Sequence, residues 1–66
     1  MKKTLEIVKR PGGTFDLILE GSPDRSDIPV KWLSEELCVR YGFCGEELNS
    51  ILHEVNLYGR ARLQLP

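Results

Sequence analysis

The residues whose types could do covalent or acid–base chemistry are two cysteines and one histidine, all in the second half of the chain. Cys38 and Cys44 lie on either side of a turn, and His53 follows in the next helical stretch. A cysteine at the start of a helix, where we place Cys44, favours its thiolate form. His53 lies too far along the same predicted helix to activate that thiol. We therefore expect Cys44 to cap the helix, Cys38 to be a small buried residue, and both thiols to be reduced.

Adjacent carboxylates are the second group with chemical potential. They occur as two pairs, Glu35-Glu36 and Glu46-Glu47. Neighbouring side chains on a helix diverge by about 100°, so neither pair converges on a substrate. The spacing of the cysteines differs from that of zinc knuckles, and Gly12-Gly13 is too short to cradle a phosphate. We predict no catalytic residue, no metal, no cofactor and no enzyme activity.

A third pattern covers residues 37–52. A small residue is followed by a turn glycine, an apolar residue, a capping residue and an amphipathic stretch. These positions are occupied by Cys38, Gly42, Phe43 and Cys44, and then by Leu48, Ile51 and Leu52. The order resembles the helix-turn-helix unit of the winged-helix-like superfamily. That resemblance implies two helices joined by a turn, and DNA binding through the second helix.

The charge of the second helix opposes this implied role. Its outward positions include three carboxylates and no cation: Glu46, Glu47, Asn49, Ser50, His53 and Glu54. Affinity for DNA depends largely on cations that neutralise phosphates, so they would have to come from elsewhere in the chain. We keep a DNA-binding regulator as the alternative function. Its base-contacting residues would be Asn49, Ser50 and His53, and its phosphate-contacting residues Lys2, Lys3, Arg60 and Arg62.

Length and composition predict one small folded domain over residues 1–66. The chain is 41% hydrophobic and 29% charged, which is typical of a globular protein. Its net charge of −1 hides alternating basic and acidic blocks, a pattern that suits strands neutralising one another across a sheet. No apolar run approaches the roughly 20 residues that cross a bilayer, and the first residues do not read as a secretion signal. We expect a soluble, cytoplasmic protein without a membrane partner.

Residues 4–20 predict a β-hairpin. Two stretches of alternating residues, 4–10 and 14–20, are joined by the turn sequence Pro11-Gly12-Gly13. If those three residues form the loop, Ile7 pairs with Leu17 and Leu5 with Leu19. The apolar side chains of both strands then share one face. Val8 and Ile18 fall on the other face, among charged residues.

A polar connector over residues 21–27 is expected to lead into a helix over residues 28–41. Ser26 or Asp27 would cap this helix, and Gly42 would end it in a left-handed conformation. Its inner face would be formed by Val30, Leu33, Leu37 and Tyr41. Trp32 and Val39 fall on the opposite side, which leaves two interpretations open. Either the helix is buried on both sides, or these two side chains form an exposed contact patch with a charged rim.

A second helix over residues 45–57 and a strand over residues 60–65 complete the predicted fold. The helix has an apolar stripe and Gly59 at its end, and the strand alternates Arg60 and Arg62 with apolar residues. The arginines should lie outward, where Glu6, Asp16 or Glu20 could meet them. The predicted class is α+β, ordered β-β-α-α-β, with a three-stranded antiparallel-type sheet covered by a helix-turn-helix-like pair.

The function we favour on this basis is a small non-enzymatic adaptor or regulator that binds another protein or a second copy of itself. Its contact residues would be Trp32 and Val39, or else Val8 and Ile18. Small size, a mixed surface and these outward apolar residues motivate the hypothesis.

Overall fold

Three strands, two helices and a final strand follow one another in the computed structural model, which describes residues 3–65. The elements are β1 (Lys3–Lys9), β2 (Phe15–Leu19), β3 (Ser22–Ile28), α1 (Val30–Val39), α2 (Glu46–Tyr58) and β4 (Arg60–Leu65). The predicted α+β class is confirmed. The predicted strand number is wrong, because the described residues form a four-stranded antiparallel sheet in the order β3-β2-β1-β4.

The first hairpin has the predicted register. Leu5 lies opposite Leu19 and Ile7 opposite Leu17. Gly13 has a φ of 86°, which a residue with a Cβ rarely adopts, and its N–H donates to the carbonyl of Arg10 at 3.0 Å. The apolar alternation and the turn agree, so the register was predictable from the local sequence.

The polar segment 21–27 is predicted to be a connector, and this prediction is wrong because the segment forms most of strand β3. Glu20 and Gly21 both have positive φ and make a tight turn that pairs Leu19 with Ser22. The strand lacks apolar alternation because most of it is exposed at the edge of the sheet. Its pairing with β2 also contains register shifts.

Helix α1 begins two residues later than predicted and ends earlier. Ile28 is the buried last residue of β3, and Pro29 occupies the N-cap position of α1. Asp27 does not cap the helix; its N–H donates to Asp16 and its carboxylate accepts a hydrogen bond from Thr14. At the other end Gly42 is left-handed, as predicted, with a φ of 81°.

Helix α2 covers Glu46–Tyr58, close to the predicted range, and β4 matches the prediction. The N-cap of α2 is Gly45 rather than Cys44, so the predicted thiol cap is wrong. Left-handed Gly59 ends the helix, and its N–H donates to the carbonyl of Val55 at 2.8 Å. Strand β4 then pairs with β1 in a continuous register.

The hydrophobic core lies between one face of the sheet and the two helices. Strand residues Leu5, Ile7 and Leu17 are completely buried there, as are Leu33 and Leu37 of α1. Helix α2 contributes Ile51 and Val55, and the wider cluster also contains Phe15, Ile28, Phe43 and Ala61. The opposite face of the sheet carries the outward residues of the alternating strands.

Candidate functional site

The outer side of α1 carries exposed apolar side chains. Trp32 is 57% exposed and Val39 is 76% exposed. They lie on the opposite side of the helix from Leu33 and Leu37, which are completely buried. The interpretation in which α1 is buried on both sides is therefore wrong. Trp32 and Val39 border a shallow cavity of about 140 Å³, and we call its lining residues the α1 surface: Trp32, Glu35, Glu36, Val39 and Arg40.

Ionic groups form the rim of the α1 surface. Arg40 lies 3.7 Å from Oε2 of Glu36, and Arg25 of β3 lies 3.7 Å from Oε1 of the same carboxylate. Among the described residues, Oε2 of Glu36 is buried without a hydrogen-bond donor. The exposed carboxylate of this surface is that of Glu35, which can accept a hydrogen bond from an incoming basic group.

The end of α1 is joined to strand β3 by polar side chains. Arg40 lies 3.3 Å from Oδ2 of Asp24, and the Tyr41 hydroxyl donates a hydrogen bond to the same oxygen. The guanidinium of Arg40 also lies 5.4 Å from the centroid of the Tyr41 ring. Burial, with the hydrogen bond to Asp24 and the charge of that carboxylate, raises the pKa of Tyr41 to about 12. These contacts fix the helix end that presents Val39 and Arg40.

The second apolar pair proposed from sequence, Val8 and Ile18, lies on the open face of the sheet. Both side chains are half-buried. Val8 is opposite Asp16 on one side and Arg60 on the other, while Ile18 is opposite Glu6. Val8 and Ile18 are therefore diagonal neighbours on adjacent strands, with charged residues beside them, on the face of the sheet away from the helices. The structure does not join them to Trp32 and Val39 in one surface.

The residues assigned to the DNA-binding alternative are not brought together. Asn49, Ser50 and His53 are exposed on α2 and border a depression that also contains Glu54. Arg60 and Arg62 lie on the open face of the sheet, which the helices do not cover. Lys3 alternates in phase with buried Leu5 and Ile7, so it falls on the other face. Lys2 lies outside the described residues.

The two arginines of β4 lie beside one of the three carboxylates that the sequence suggested for them. Arg60 donates a hydrogen bond to Oε2 of Glu6 at 2.8 Å, and Arg62 lies 4.0 Å from the same atom. The hydrogen bond from Arg60, aided by the charges of both arginines and opposed by burial, lowers the pKa of Glu6. Both guanidinium groups therefore turn back over the sheet towards β1.

The cysteines form a disulfide, so the expectation that both thiols are reduced is wrong. Cys38 near the end of α1 is bonded to Cys44 in the loop before α2. The bond closes the turn that spans residues 40–45, which is longer than the three-to-four-residue turn typical of a helix-turn-helix. In this state neither sulfur is a nucleophile. Disulfides persist mainly in oxidising compartments, so the pairing opposes the cytoplasmic location predicted from sequence.

The contacts among Asp24, Arg40 and Tyr41 were missed by the sequence analysis. The sequence predicts Asp24 in a connector and Tyr41 on the inner face of a longer helix. The available signal was Glu20-Gly21, a dipeptide compatible with a tight hairpin turn, which would have predicted β3 and brought Asp24 to the sheet.

The described residues thus define an α+β unit with a four-stranded antiparallel sheet, two helices on one face and an exposed apolar surface on the first helix. Comparison of the chain with protein-family models, with curated proteins and with solved structures gave no match. Neither helix within residues 3–65 has the length and apolar character needed to span a membrane.

Proposed function

We propose that this chain is a small, non-enzymatic adaptor or regulator that binds a partner protein through the α1 surface. The observation that carries the proposal is the exposure of Trp32 and Val39, which both line one shallow cavity. Tryptophan is enriched among the residues that anchor protein interfaces, because it buries a large apolar area with few rotatable bonds. The surface also has the apolar centre and charged rim of such interfaces.

The chemistry of the α1 surface specifies what a partner would contribute. An apolar side chain would cover Trp32 and Val39. A lysine or arginine beside it would reach the exposed carboxylate of Glu35 and the face of the indole ring. A second copy of this chain is one form of partner, since Lys31 and Arg40 on the same helix carry the required charge. Sedimentation at rising concentration separates self-association from binding to a different protein.

The direct test is affinity capture from native cell extract with three forms of the protein. The wild type should capture a discrete partner, and Trp32→Ala should lose it while keeping the wild-type circular dichroism spectrum. Leu57→Ala is the matched control, because Leu57 is a comparably exposed apolar residue on α2, at 61%. Capture that persists in Trp32→Ala, or that is lost equally in Leu57→Ala, would contradict the proposal.

The DNA-binding alternative has less support from the arrangement of charges. Its proposed base-contacting residues share α2 with three carboxylates, and Arg60 and Arg62 contact Glu6 on the open face of the sheet. A titration with mixed duplex DNA at two salt concentrations tests it. Shifts centred on Asn49, Ser50 and His53 that survive moderate salt would favour DNA binding over the adaptor function.

A further inference from the structure

The two edges of the sheet differ in how well they are protected against pairing with another chain. Strand β3 contains Pro23, which has no N–H to donate, and its pairing with β2 is interrupted by register shifts. Strand β4 is regular, lacks proline over Arg60–Leu65, and within residues 3–65 has a neighbouring strand on one side only. An exposed regular edge of this kind is a template for an added strand.

The hydrogen-bonding groups available at the β4 edge follow from the register. Lys9 donates its N–H to the carbonyl of Gly59 at 2.8 Å, so the odd-numbered residues of β4 direct their backbone groups towards β1. The even-numbered residues direct theirs to the outer edge. These are Arg60, Arg62 and Gln64. Charged side chains can protect an edge; here Arg60 donates to Glu6 over the open face, whereas Arg62 lies 4.0 Å from that carboxylate and also lines the groove beside the edge, so one of the two arginines is turned away.

A groove lies beside this edge, between β4 and α2. It has a volume of about 330 Å³. It is lined by apolar Phe43, Ile51 and Leu63, by Glu47, Ser50 and Glu54 of α2, and by Arg62 and Gln64 of β4. A strand added to β4 would direct alternate side chains into this groove and the others onto the open face of the sheet. Strand addition beside a helix is a recurrent mode of peptide recognition.

We infer that the β4 edge and its groove bind an extended segment of another protein, separately from the α1 surface. The inward positions of that segment would carry an apolar side chain over Leu63 between two basic ones facing Glu47 and Glu54. The outward positions on either side of this apolar side chain would be acidic, one lying beside Arg62 and the other beside Gln64. Inward side chains i and i+4 are about 13 Å apart along a strand, whereas Glu47 and Glu54 are about 10 Å apart along a helix. Long basic side chains can bridge the difference between these two spacings.

Charge excludes a second copy of this chain as the preferred occupant. A second β4 would place its own Arg60 and Arg62 beside the same two arginines on the open face. The accompanying α2 would bring Glu47 and Glu54 close to their counterparts. Like charges opposite one another in a sheet are destabilising, so a segment of complementary charge is favoured.

The probe is a capped seven-residue peptide of sequence Thr-Lys-Glu-Val-Glu-Lys-Thr, and its control is Thr-Glu-Lys-Val-Lys-Glu-Thr. The two have the same composition and opposite charge on each face. In an NMR titration of the intact chain, the first peptide should shift the amides of Arg60, Arg62 and Gln64, and should bind about fivefold more tightly than the control if each of two ion pairs contributes about 0.5 kcal/mol. Equal affinities, or shifts centred elsewhere, would overturn the inference.

The double variant Glu47→Lys/Glu54→Lys tests the same charge preference by reversing the charges of the groove instead of those of the peptide. Both residues are exposed, so the fold should be retained, and the preference between the two peptides should weaken or reverse. Trp32→Ala should leave the peptide affinity unchanged, which separates this groove from the α1 surface. An unchanged peptide preference in the double variant would overturn the inference. So would concentration-dependent dimerisation through β4 amides without peptide, because it would make a second copy the occupant.

Discussion

The two sides of the molecule are held together by different kinds of contact. On the side that we call the α2–β4 side, buried Ile51 and Val55 of the helix meet Ala61 and Leu63 of the strand. On the α1–β3 side, α1 buries Leu33 and Leu37 in the core but reaches β3 through charged and hydrogen-bonded side chains. Those side chains are Asp24, Arg25, Glu36, Arg40 and Tyr41.

In this small domain, stability and the positioning of an exposed surface therefore rest on different contacts. Apolar burial stabilises the α2–β4 side without regard to salt or pH, and it leaves the outer edge of β4 accessible. The polar contacts of the α1–β3 side lie at the surface, where each contributes little, but they orient the end of α1 that presents Val39 and Arg40. The apolar side therefore supplies stability, and the polar side positions a surface.

The largest expected effect is a cavity on the α2–β4 side. Ile51 is 6% exposed, and Ile51→Ala should lower the free energy of unfolding by about 2–5 kcal/mol, measured by urea denaturation. His53→Ala on the exposed side of the same helix is the control and should change it by less than about 0.5 kcal/mol. A loss below about 1 kcal/mol in Ile51→Ala would show that this side does not depend on apolar burial.

The next largest effect should come from the disulfide at the end of α1. Cys38→Ser/Cys44→Ser should lower the free energy of unfolding by about 2 kcal/mol, because the bond restricts the unfolded chain over a short loop. Reduction of the wild type should have the same effect. Alkylation of the unfolded protein without reductant checks the bond itself, and modification of both cysteines would contradict its presence.

A smaller effect is expected at the hydrogen bond between Tyr41 and Asp24. Tyr41→Phe should cost about 1 kcal/mol at neutral pH. The folded pKa of about 12 exceeds the ordinary value of 10.0, so the stabilisation is complete below pH 10 and is lost as the pH rises from 10 to 12. Tyr41→Phe should remove this dependence, whereas the control Tyr58→Phe should retain it. An identical alkaline profile in Tyr41→Phe would contradict the assignment.

The smallest effect should come from the ion pairs of Arg40. Arg40→Gln should lower the free energy of unfolding by at most about 1 kcal/mol at low salt, and the difference should shrink in high salt. Lys31→Gln removes a charge from the first turn of the same helix and serves as the control. A large, salt-independent loss in Arg40→Gln would mean that its aliphatic stem, rather than its charge, supports α1.

Elements with a strong local pattern were predictable from the sequence. Apolar alternation on both sides of Pro11-Gly12-Gly13 predicted the pairing of Ile7 with Leu17, and Gly59 correctly predicted the end of α2, whereas α1 ends at Val39, before left-handed Gly42. Strand β3 was not predictable in this way, because its exposed edge position requires no apolar alternation. The same polar composition that hid the strand also hid the contact between Asp24 and Tyr41.

The sequence determined which residues share the α1 surface but not whether that surface is exposed. The spacing of Trp32 and Val39 placed them on one side of a helix, opposite Leu33 and Leu37, whichever way the helix packed. The sequence could not decide whether a second layer covered that side, because burial depends on contacts between distant segments. The tertiary structure decided it by placing α2 over β1 and β4, which leaves the outer side of α1 exposed.

For the whole chain, too, some features were determined by the sequence and others only by the tertiary structure. The sequence by itself determined the α+β class, the first hairpin register and the last strand, because each follows from local periodicity, and it left three carboxylates open for Arg60, of which the structure selects Glu6. Only the tertiary structure decided that Cys38 bonds to Cys44, that β3 joins the sheet, and that β4 has an accessible edge. The edge of β4 depends on which distant segments come together. The disulfide joins residues only six positions apart and β3 follows β2 after a two-residue turn, but hydrophobic periodicity carries no signal for either.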